Sequence, residues 1–202
     1  LKDPSEKEIM LSLSQQFTDE QMKNIMFKDT AILNNMFQSD ELQKHKKSPL
    51  SYMMAIDFQT YLLDDILQKV DRATMTHSLE GREPMLDHRI LEFAAQLPDS
   101  FKYYKGIKKR LLKDITHQYI PKELLDRPKM GFAIPIASWL NNHLKEYVQH
   151  YINKEKIISQ GFFQWDYIEK LKSDFYRGRK EYDTKLWYFL MFQMWYDRWM
   201  KN

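Results

Sequence analysis

The sequence lacks cysteine altogether, and it has only 5 glycines among its 202 residues. Without cysteine, the chain excludes disulfides, thiolate metal sites and a cysteine nucleophile. The most apolar stretch, residues 186–196, is too short to span a bilayer, and the amino end lacks the pattern of a secretion signal. We therefore expect a cytoplasmic protein without membrane contact.

Several short catalytic motifs are missing as well. The sequence contains no P-loop, no GxSxG and no GxGxxG, so it has no phosphate cradle or nucleophile elbow of its own. Its 6 histidines form no HExxH motif, and we expect no metal site built from histidine. The net charge of +3 comes from 31 basic and 28 acidic residues mixed along the chain, which indicates no particular partner. A self-contained enzyme is not expected.

What the sequence does contain favours an all-α fold. Leucine, methionine, lysine and glutamate are frequent, and their straight side chains lose little rotamer freedom in a helix. The chain is 43% hydrophobic, which is enough to bury a core in one domain with a smaller appended lobe. We expect a short helical amino-terminal segment at residues 1–47 and a helical body at residues 48–202.

Apolar spacing, caps and breakers predict the individual helices. In chain order these are residues 5–16, a helix from Thr18, a third from Asp29, one long helix or two abutting ones over 49–80, then 88–97, 107–119, a short helix after Pro121, 136–152, 165–176 and 181–200. Residues 38–49 and 126–135 are predicted to be loops. The aromatic and methionine residues of the last helix are typical of core packing, and a groove for a cofactor or partner is the alternative.

The first candidate site is HSLEGREPMLDH, residues 77–88. Gly81 is predicted to give the left-handed cap of the long helix, so that the helix ends within a residue or two of Glu80. A carboxylate there faces the negative pole of the helix dipole, which favours its protonated form unless Arg82 compensates. A functional carboxylate and an arginine-paired surface glutamate both stay open. Asp87 is interpreted as the cap of the next helix.

The second candidate is RPKMGFAIP, residues 127–135, where Lys129 stands among apolar residues, proline and glycine. A lysine in a packed loop near Gly131, whose bare backbone lets a ligand approach, is a suitable point charge for phosphate or pyrophosphate. A lysine that points out of a turn is the alternative. A third cluster, Lys102 to Lys113, is dense enough to consider nucleic acid, but it spreads around a helix instead of lining one face, which favours a solvated helix surface.

Two stretches together change this interpretation. Residues 61–98, which contain DDILQKVDR and SLEGREPMLDH, and residues 126–140, which contain RPKMGFAIP, closely resemble the carboxyl-terminal part of glutamine-hydrolysing asparagine synthetases. The family patterns are D-D-x-L-x-K-x-D-R, S-L-E-x-R-x-P-x-L-D-H and R-x-K-x-G-F-x-x-P. The resemblance implies the helical carboxyl-terminal portion of an asparagine-synthetase-type adenine nucleotide α-hydrolase-like domain, without its parallel sheet.

The resemblance also implies an activity. The expected enzyme is a ligase that activates an aspartate-type carboxylate with ATP and Mg²⁺, forms an acyl-adenylate, and makes the amide with ammonia from a glutaminase domain. Within the expected site, Glu80 and Lys129 are the catalytic residues: Glu80 handles the adenylate and accepts a proton from ammonia, and Lys129 neutralises charge on the leaving pyrophosphate. Arg82, Lys109 and Gly131 are expected to line the substrate and nucleotide site, with no metal ligand among them.

This sequence also departs from the family pattern. The sequence contains no cysteine nucleophile of a glutaminase domain. It also lacks the S-G-G-x-D-S loop, which in the family binds ATP and supplies a ligand of Mg²⁺. We therefore expect a truncated piece that is inactive alone. Leu63 and Glu83 replace residues that many relatives share, which leaves free aspartate only as the default acceptor. The alternative function is a helical interaction module with weak nucleic-acid binding. Under the synthetase interpretation we expect no nucleic-acid partner. Whether the protein is a monomer or a homo-oligomer is left open by the sequence.

Overall fold

A computed structural model of the chain describes residues 5–27, 37, 39–128 and 134–200. The chain forms two compact units, each built from two segments. The first unit comprises Leu1–Leu13 and Asn34–Met130, and the second comprises Ser14–Leu33 and Gly131–Asn202. The predicted division into an amino-terminal segment and a body at residue 47 stays a prediction.

The described residues are mostly helical, as the sequence predicts. The α-helices are α1 Glu6–Ser14, α2 Asp19–Ile25, α3 Asp40–Lys44, α4 Pro49–Gln59, α5 Gln68–Met75, α6 His88–Gln96, α7 Asp99–Lys102, α8 Arg110–Thr116, α9 Lys122–Leu125, α10 Ile136–Asn141, α11 Lys145–Tyr151, α12 Lys154–Gln160, α13 Trp165–Tyr176 and α14 Asp183–Trp199. A π-helical segment, Tyr61–Leu67, joins α4 to α5, and short 3₁₀ turns occupy Pro84–Leu86 and Lys180–Tyr182. No helix of the described part is both long and apolar enough to cross a membrane.

Helix starts follow the capping residues closely. At α2 the Thr18 hydroxyl accepts a hydrogen bond from the Gln21 amide at 3.2 Å, and the Gln21 side chain accepts one from the Thr18 amide at 3.1 Å. This reciprocal pair is a capping box, which satisfies two amides that the helix leaves free. Ser48 caps α4 in the same way with Ser51. The predicted start of a helix at Thr18 is therefore confirmed, whereas the start predicted at Asp29 lies outside the described residues.

Three predicted elements are corrected. The stretch predicted as a loop at residues 38–49 contains α3, which Ser39 caps through the Leu42 amide. The helix predicted over 136–152 is two helices, α10 and α11, separated at Asn142. The helix predicted from residue 107 starts only at Arg110, because residues 103–108 form a small antiparallel hairpin.

That hairpin pairs strand β1, Tyr103–Tyr104, with strand β2, Ile107–Lys108, placing Tyr103 opposite Lys108. Its two turn residues, Lys105 and Gly106, have φ values of 47° and 85°. Two successive residues with positive φ are what a tight hairpin turn requires, and glycine supplies one of them without steric cost. Besides this hairpin, the described part contains an isolated antiparallel bridge between Met26 and Phe163.

The main hydrophobic core lies in the second unit. This core is formed by α2 together with the consecutive helices from α10 to α14. Its buried side chains are Ile25, Leu140, Val148, Ile152, Ile157, Ile168, Leu171, Phe175, Leu186, Phe189 and Leu190. Within this unit Gln193 is fully buried, and its amide exchanges two hydrogen bonds of 2.8 Å with Gln160. Because each amide both donates to and accepts from the other, the oxygen and the nitrogen of the buried Gln193 side chain each have a partner.

Helix α14 contributes a different face to this core from the one its aromatic residues suggest. Its buried side chains are Leu186, Phe189, Leu190 and Gln193, whereas Trp195 and Trp199 are exposed. The prediction that the last helix packs as core is confirmed for its first three turns. It is wrong for the two carboxyl-terminal tryptophans, because the buried stripe at helical spacing lies on another face of the helix.

The first unit has a much smaller core. Met10, Tyr52 and Ile56 are buried together, with Leu42 and Met53 packed around them. No residue of α6 is buried, and its apolar Ile90 and Phe93, one turn apart, are exposed. A helix whose apolar stripe faces solvent buries little hydrophobic surface. The described part of this unit therefore gains little stability from its own core.

Two glycines allow a direct test of helix termination. Gly161 ends α12 with a φ of 68°, a left-handed conformation that disfavours any residue with a Cβ. Gly161→Ala is expected to reduce the free energy of unfolding by about 1 kcal/mol. Gly81→Ala is the matched control, because Gly81 has no positive φ and an added Cβ would meet neighbours at ordinary distances of 3.8 Å. Urea denaturation of both variants measures the difference, and equal losses would contradict the assignment.

Candidate functional site

The helix before Glu80 ends earlier than the sequence predicts. After α5, the Ser78 amide donates to the Met75 carbonyl at 3.0 Å and the Leu79 amide donates to the Thr74 carbonyl at 3.1 Å. Ser78 itself has a φ of 57°. This pair of bonds around one left-handed residue is a Schellman motif, which satisfies carbonyls at the end of a helix. Ser78 therefore performs the capping that was predicted for Gly81.

This finding corrects the electrostatic argument for Glu80. The carboxylate lies five residues beyond Met75, the last residue of α5, and follows the left-handed turn. The field of a helix dipole falls off within its last turn. The predicted influence of the dipole on Glu80 is therefore wrong, and its immediate surroundings decide the behaviour of this carboxylate.

The main partner of Glu80 in these surroundings is Arg82. The Arg82 Nε lies 3.0 Å from Oε1 of Glu80, and the Arg82 Nη2 donates to Oε2 at 3.2 Å. Both side chains face solvent, with 69% of the Glu80 side chain and 83% of the Arg82 side chain exposed. A bidentate pair of this kind orients both groups. Its exposure leaves the carboxylate accessible to a ligand, and the arginine can contact an anionic group next to it.

An open cavity of about 350 Å³ lies beside this pair. It is lined by Arg82, Glu83, Pro84, Leu86 and Asp87. The 3₁₀ turn Pro84–Leu86 provides its apolar side, and Arg82 provides a positive charge at its edge. The cavity is open to solvent, and its lining combines apolar and charged side chains.

Asp87 lines this cavity and is the N-cap residue of α6. Its Oδ1 accepts hydrogen bonds from the Arg89 backbone amide and from Arg89 Nε, both at 2.9 Å, while Arg89 Nη2 donates to Oδ2 at 2.8 Å. The hydrogen bonds from the Arg89 side chain hold the pKa of Asp87 below its usual range. The interpretation of Asp87 as a helix cap is confirmed, and its ionised form is fixed at the rim of the cavity.

Lys109 occupies the junction between the hairpin and α8. It has φ 54° and ψ 40°, the left-handed region that is unusual for a lysine. The next residue, Arg110, fixes this junction: its guanidinium lies 5.1 Å from the Tyr104 ring centroid, and its Nη1 donates to the Ser100 carbonyl at 3.2 Å. A strained residue held by such contacts is a reason to consider a functional role for Lys109.

The structure brings only some of the predicted residues together. Glu80 and Arg82 are in direct contact, and Lys109 is placed on a separate hairpin junction of the same unit. Lys129 and Gly131 lie outside the described residues. The predicted convergence of Glu80 and Lys129 on one ligand therefore stays a prediction. Among the described residues, no group of three or more histidines and carboxylates could hold a metal ion.

Comparison with known protein families decides the assignment of the chain. The family model described as asparagine synthase matches residues 5–197, which include all five candidate site residues. The chain belongs to the asparagine synthase family. No solved structure matches it.

Individual asparagine synthetases show the same relationship. The chain is 33% identical over 150 residues to asparagine synthetase [glutamine-hydrolyzing] 1 of Bacillus subtilis, covering 74% of this chain and 23% of the relative. It is 32% identical over 151 residues to a putative asparagine synthetase of Mycobacterium tuberculosis H37Rv, covering 73% and 22%. The human asparagine synthetase is 40% identical over 101 residues, covering 47% and 18%. The chain thus spans about a quarter or less of the length of these relatives.

Sequence reasoning missed two features near the asparagine synthase motifs. The first is the left-handed turn at Ser78, for which the sequence contains no glycine or asparagine as a signal. The second is a cluster around Asp126, whose carboxylate lies close to Lys113 of α8 and to His117, the residue directly after α8. The four-residue spacing of Lys113 and His117 places both on one face of a helix, but it does not identify Asp126 as their partner.

Proposed function

We propose that this chain supplies part of the synthetase site of an ATP-dependent, amide-forming enzyme that uses glutamine-derived ammonia. The observation that carries the proposal is the family match over residues 5–197, which contains both the SLEGREP and the RPKMGF segments. The relatives named above are described as glutamine-hydrolysing asparagine synthetases. The accessible Glu80–Arg82 pair beside an open cavity supports a ligand site at the first of these segments.

The proposed reaction has two steps. In the first, a carboxylate of an aspartate-type acceptor attacks the α-phosphorus of ATP, the bond to the β-phosphate oxygen breaks, and pyrophosphate leaves. In the second, ammonia attacks the carbonyl carbon of the acyl-adenylate, AMP leaves, and the new amide nitrogen loses a proton. Negative charge grows on the leaving pyrophosphate in the first step, and a proton must be accepted in the second. These two demands define the residues that the site needs.

The candidate residues match these demands. Lys129 is proposed to neutralise the departing pyrophosphate, since a lysine ammonium is a compact donor for phosphate. Glu80 is proposed to accept the proton from the attacking ammonia. Arg82 holds Glu80 in a fixed orientation through its two contacts and can bind an anionic group of the adenylate. Lys109 and Gly131 are proposed to line the same nucleotide site.

Mg²⁺ is proposed to accompany ATP. Among the described residues, no group of three or more histidines and carboxylates could hold a metal ion by itself. The residues of this chain are proposed to bind, orient and exchange protons with the organic and phosphate groups of the substrates.

Exchange of labelled pyrophosphate into ATP tests the proposal. A full-length protein that contains this sequence is expected to catalyse exchange that depends on an aspartate-type acceptor. The isolated 202-residue chain is expected to catalyse none. Exchange by the isolated chain at the rate of the full-length protein would contradict the proposed dependence on other elements. Absence of exchange with any carboxylate acceptor in the full-length protein would contradict the proposed activity.

A further inference from the structure

Four aromatic side chains follow one another along the outer face of α14. We call Tyr188, Phe192, Trp195 and Trp199 the aromatic row. Their spacing of four, three and four residues places them on one face of a helix. The buried Leu186, Leu190 and Gln193 repeat this spacing two residues earlier. Two residues turn a helix by about 200°, so the aromatic row faces away from the core of the second unit.

The aromatic row exposes a large apolar surface. Tyr188 is 46% exposed, Trp195 is 49% exposed and Trp199 is 66% exposed. Since an aromatic side chain has about 150–250 Å² of surface, these three together expose about 350 Å². Phe162 extends the surface, because its ring lies 6.2 Å from the Phe192 ring and is itself exposed. A contiguous apolar patch of several hundred Å² is typical of an interaction surface.

An open apolar cavity of about 180 Å³ borders the aromatic row. Tyr188 and Phe192 line it from α14, Met22 and Ile25 line it from α2, and Phe163 completes this side. An apolar cavity of about 150 Å³ is large enough to hold a benzene ring. The outer face of the second unit therefore combines projecting aromatic rings with a hollow that can accept one such ring.

The positions in the aromatic row are self-complementary. A two-fold axis perpendicular to a helix places each residue opposite the one that lies equally far on the other side of the axis. With the axis at the level between residues 193 and 194, Trp199 faces Tyr188 of the second copy, and Trp195 faces Phe192 of the second copy. One antiparallel register thus pairs all four members of the row. It also brings Trp199 next to the apolar cavity of the second copy, which Tyr188 lines.

The charges around the aromatic row are compatible with this pairing. The row itself contains no charged side chain, so it is poorly suited to an acidic or a basic partner. Arg198, next to it, lies with its guanidinium 5.2 Å from the Trp199 ring centroid. In the antiparallel register the two copies of Arg198 are separated by about 13 Å along the helix, at about 1.5 Å per residue. Because this exceeds the Debye length of about 8 Å at physiological salt, their repulsion is weak.

From these observations we propose that the protein forms a two-fold symmetric dimer in which α14 packs antiparallel against α14 of a second copy. With Phe162 and the rim around the rings, the two copies bury about 1,000 Å² in total, the lower bound for a specific interface. The dimer is therefore reversible, with a dissociation constant on the order of 10 µM. The inference uses the second unit alone and is independent of the proposed synthetase function.

Sedimentation equilibrium of the 202-residue chain tests the dimer. Between about 1 and about 200 µM, a range that brackets the proposed dissociation constant, the mean mass is expected to rise from that of one chain toward that of two. Trp199→Glu is expected to weaken association at least about 100-fold, because it replaces a central aromatic contact with a charge. Tyr147→Glu is the matched control, since Tyr147 is an exposed ring of α11 in the same unit and lies outside the row. A single-chain mass throughout, or equal weakening by both substitutions, would overturn the dimer.

Cysteine cross-linking tests the register and does not require a disruptive substitution. The chain contains no cysteine, so introduced thiols have no native competitor. Under mild oxidation, a mixture of Tyr188→Cys and Trp199→Cys is expected to form a mixed disulfide dimer. Either variant alone is expected to form little, because its two cysteines lie about 16 Å apart along the helix, beyond the approximately 7 Å between Cα atoms that a disulfide tolerates. Equal cross-linking in the mixture and in the separate variants would overturn the antiparallel register.

The same cysteine variants in a full-length protein that carries this sequence test whether another segment covers the aromatic row. Cross-linking in the mixture alone would support the dimer there as well. Dimerisation of the 202-residue chain without cross-linking in the full-length protein would show that the row packs within that protein, and it would overturn the proposal. Pyrophosphate exchange enters neither measurement, so a failure of the proposed function leaves the outcome of this test unchanged.

Discussion

Lys129→Ala in a full-length protein that carries this sequence is expected to lower kcat for pyrophosphate exchange by about 10²- to 10³-fold, while KM for ATP changes little. The reason is the role proposed for the ammonium, which is to stabilise charge that develops only as pyrophosphate leaves, and removing one such donor costs about 3 kcal/mol in comparable sites. A group that stabilises the transition state more than the bound substrate affects kcat rather than KM. Steady-state exchange kinetics measure both parameters.

Two control variants make this result specific. Lys154→Ala removes an exposed lysine from α12 and is expected to leave exchange unchanged. Lys129→Arg keeps the positive charge and is expected to retain part of the activity, since a guanidinium also binds phosphate but with a different geometry. If Lys129→Ala raises KM for ATP and leaves kcat intact, the lysine binds the substrate without assisting the departure of pyrophosphate.

Glu80→Gln is expected to affect the second step instead. The glutamine side chain retains the shape of glutamate but cannot accept a proton, so the rate of amide formation from added ammonia is expected to fall by about 10²- to 10⁴-fold. Pyrophosphate exchange is expected to fall much less, because it reports only adenylation. The two rates are measured on the same protein, with ammonia supplied directly so that glutamine hydrolysis does not contribute.

The matched control for this change is Glu92→Gln. Glu92 is an exposed glutamate of α6 that pairs with His88 at 3.3 Å, in the same unit as Glu80. Its substitution removes the same charge and is expected to leave both rates near those of the unsubstituted protein. Amide formation by Glu80→Gln at the control rate would show that another group accepts the proton.

Local capping signals made part of the fold predictable. Thr18 and Asp87 mark helix starts because their side-chain oxygens bond to free amides within the next three residues. The end of α5 was not predictable in this way, since the left-handed residue is Ser78 and the nearby Gly81 does not adopt that conformation. Serine adopts this conformation because the surrounding hydrogen bonds require it, which a local pattern does not reveal.

The site was predictable to a different extent. The motif around Glu80 and Arg82 led to a pair that the structure shows in contact. The Asp126 cluster was not predicted, because Lys113 of α8 and His117 directly after it are separated from Asp126 by α9, and their approach to Asp126 depends on the tertiary fold. Residues that act within one turn can be inferred from spacing, whereas tertiary ion pairs need the fold.

The central claim is that Glu80 and Lys129 act in a single cleft, Glu80 at the acyl-adenylate and Lys129 at the departing pyrophosphate. The most direct measurement is a crystal structure of the full-length protein with a stable acyl-adenylate analogue and pyrophosphate. The account predicts that the Glu80 carboxylate lies within about 4 Å of the acyl carbon region and that the Lys129 ammonium lies within about 3 Å of a pyrophosphate oxygen, the distance of a charge-assisted hydrogen bond. A structure with either side chain more than about 10 Å from the bound analogue, beyond any direct or water-bridged contact, would contradict it.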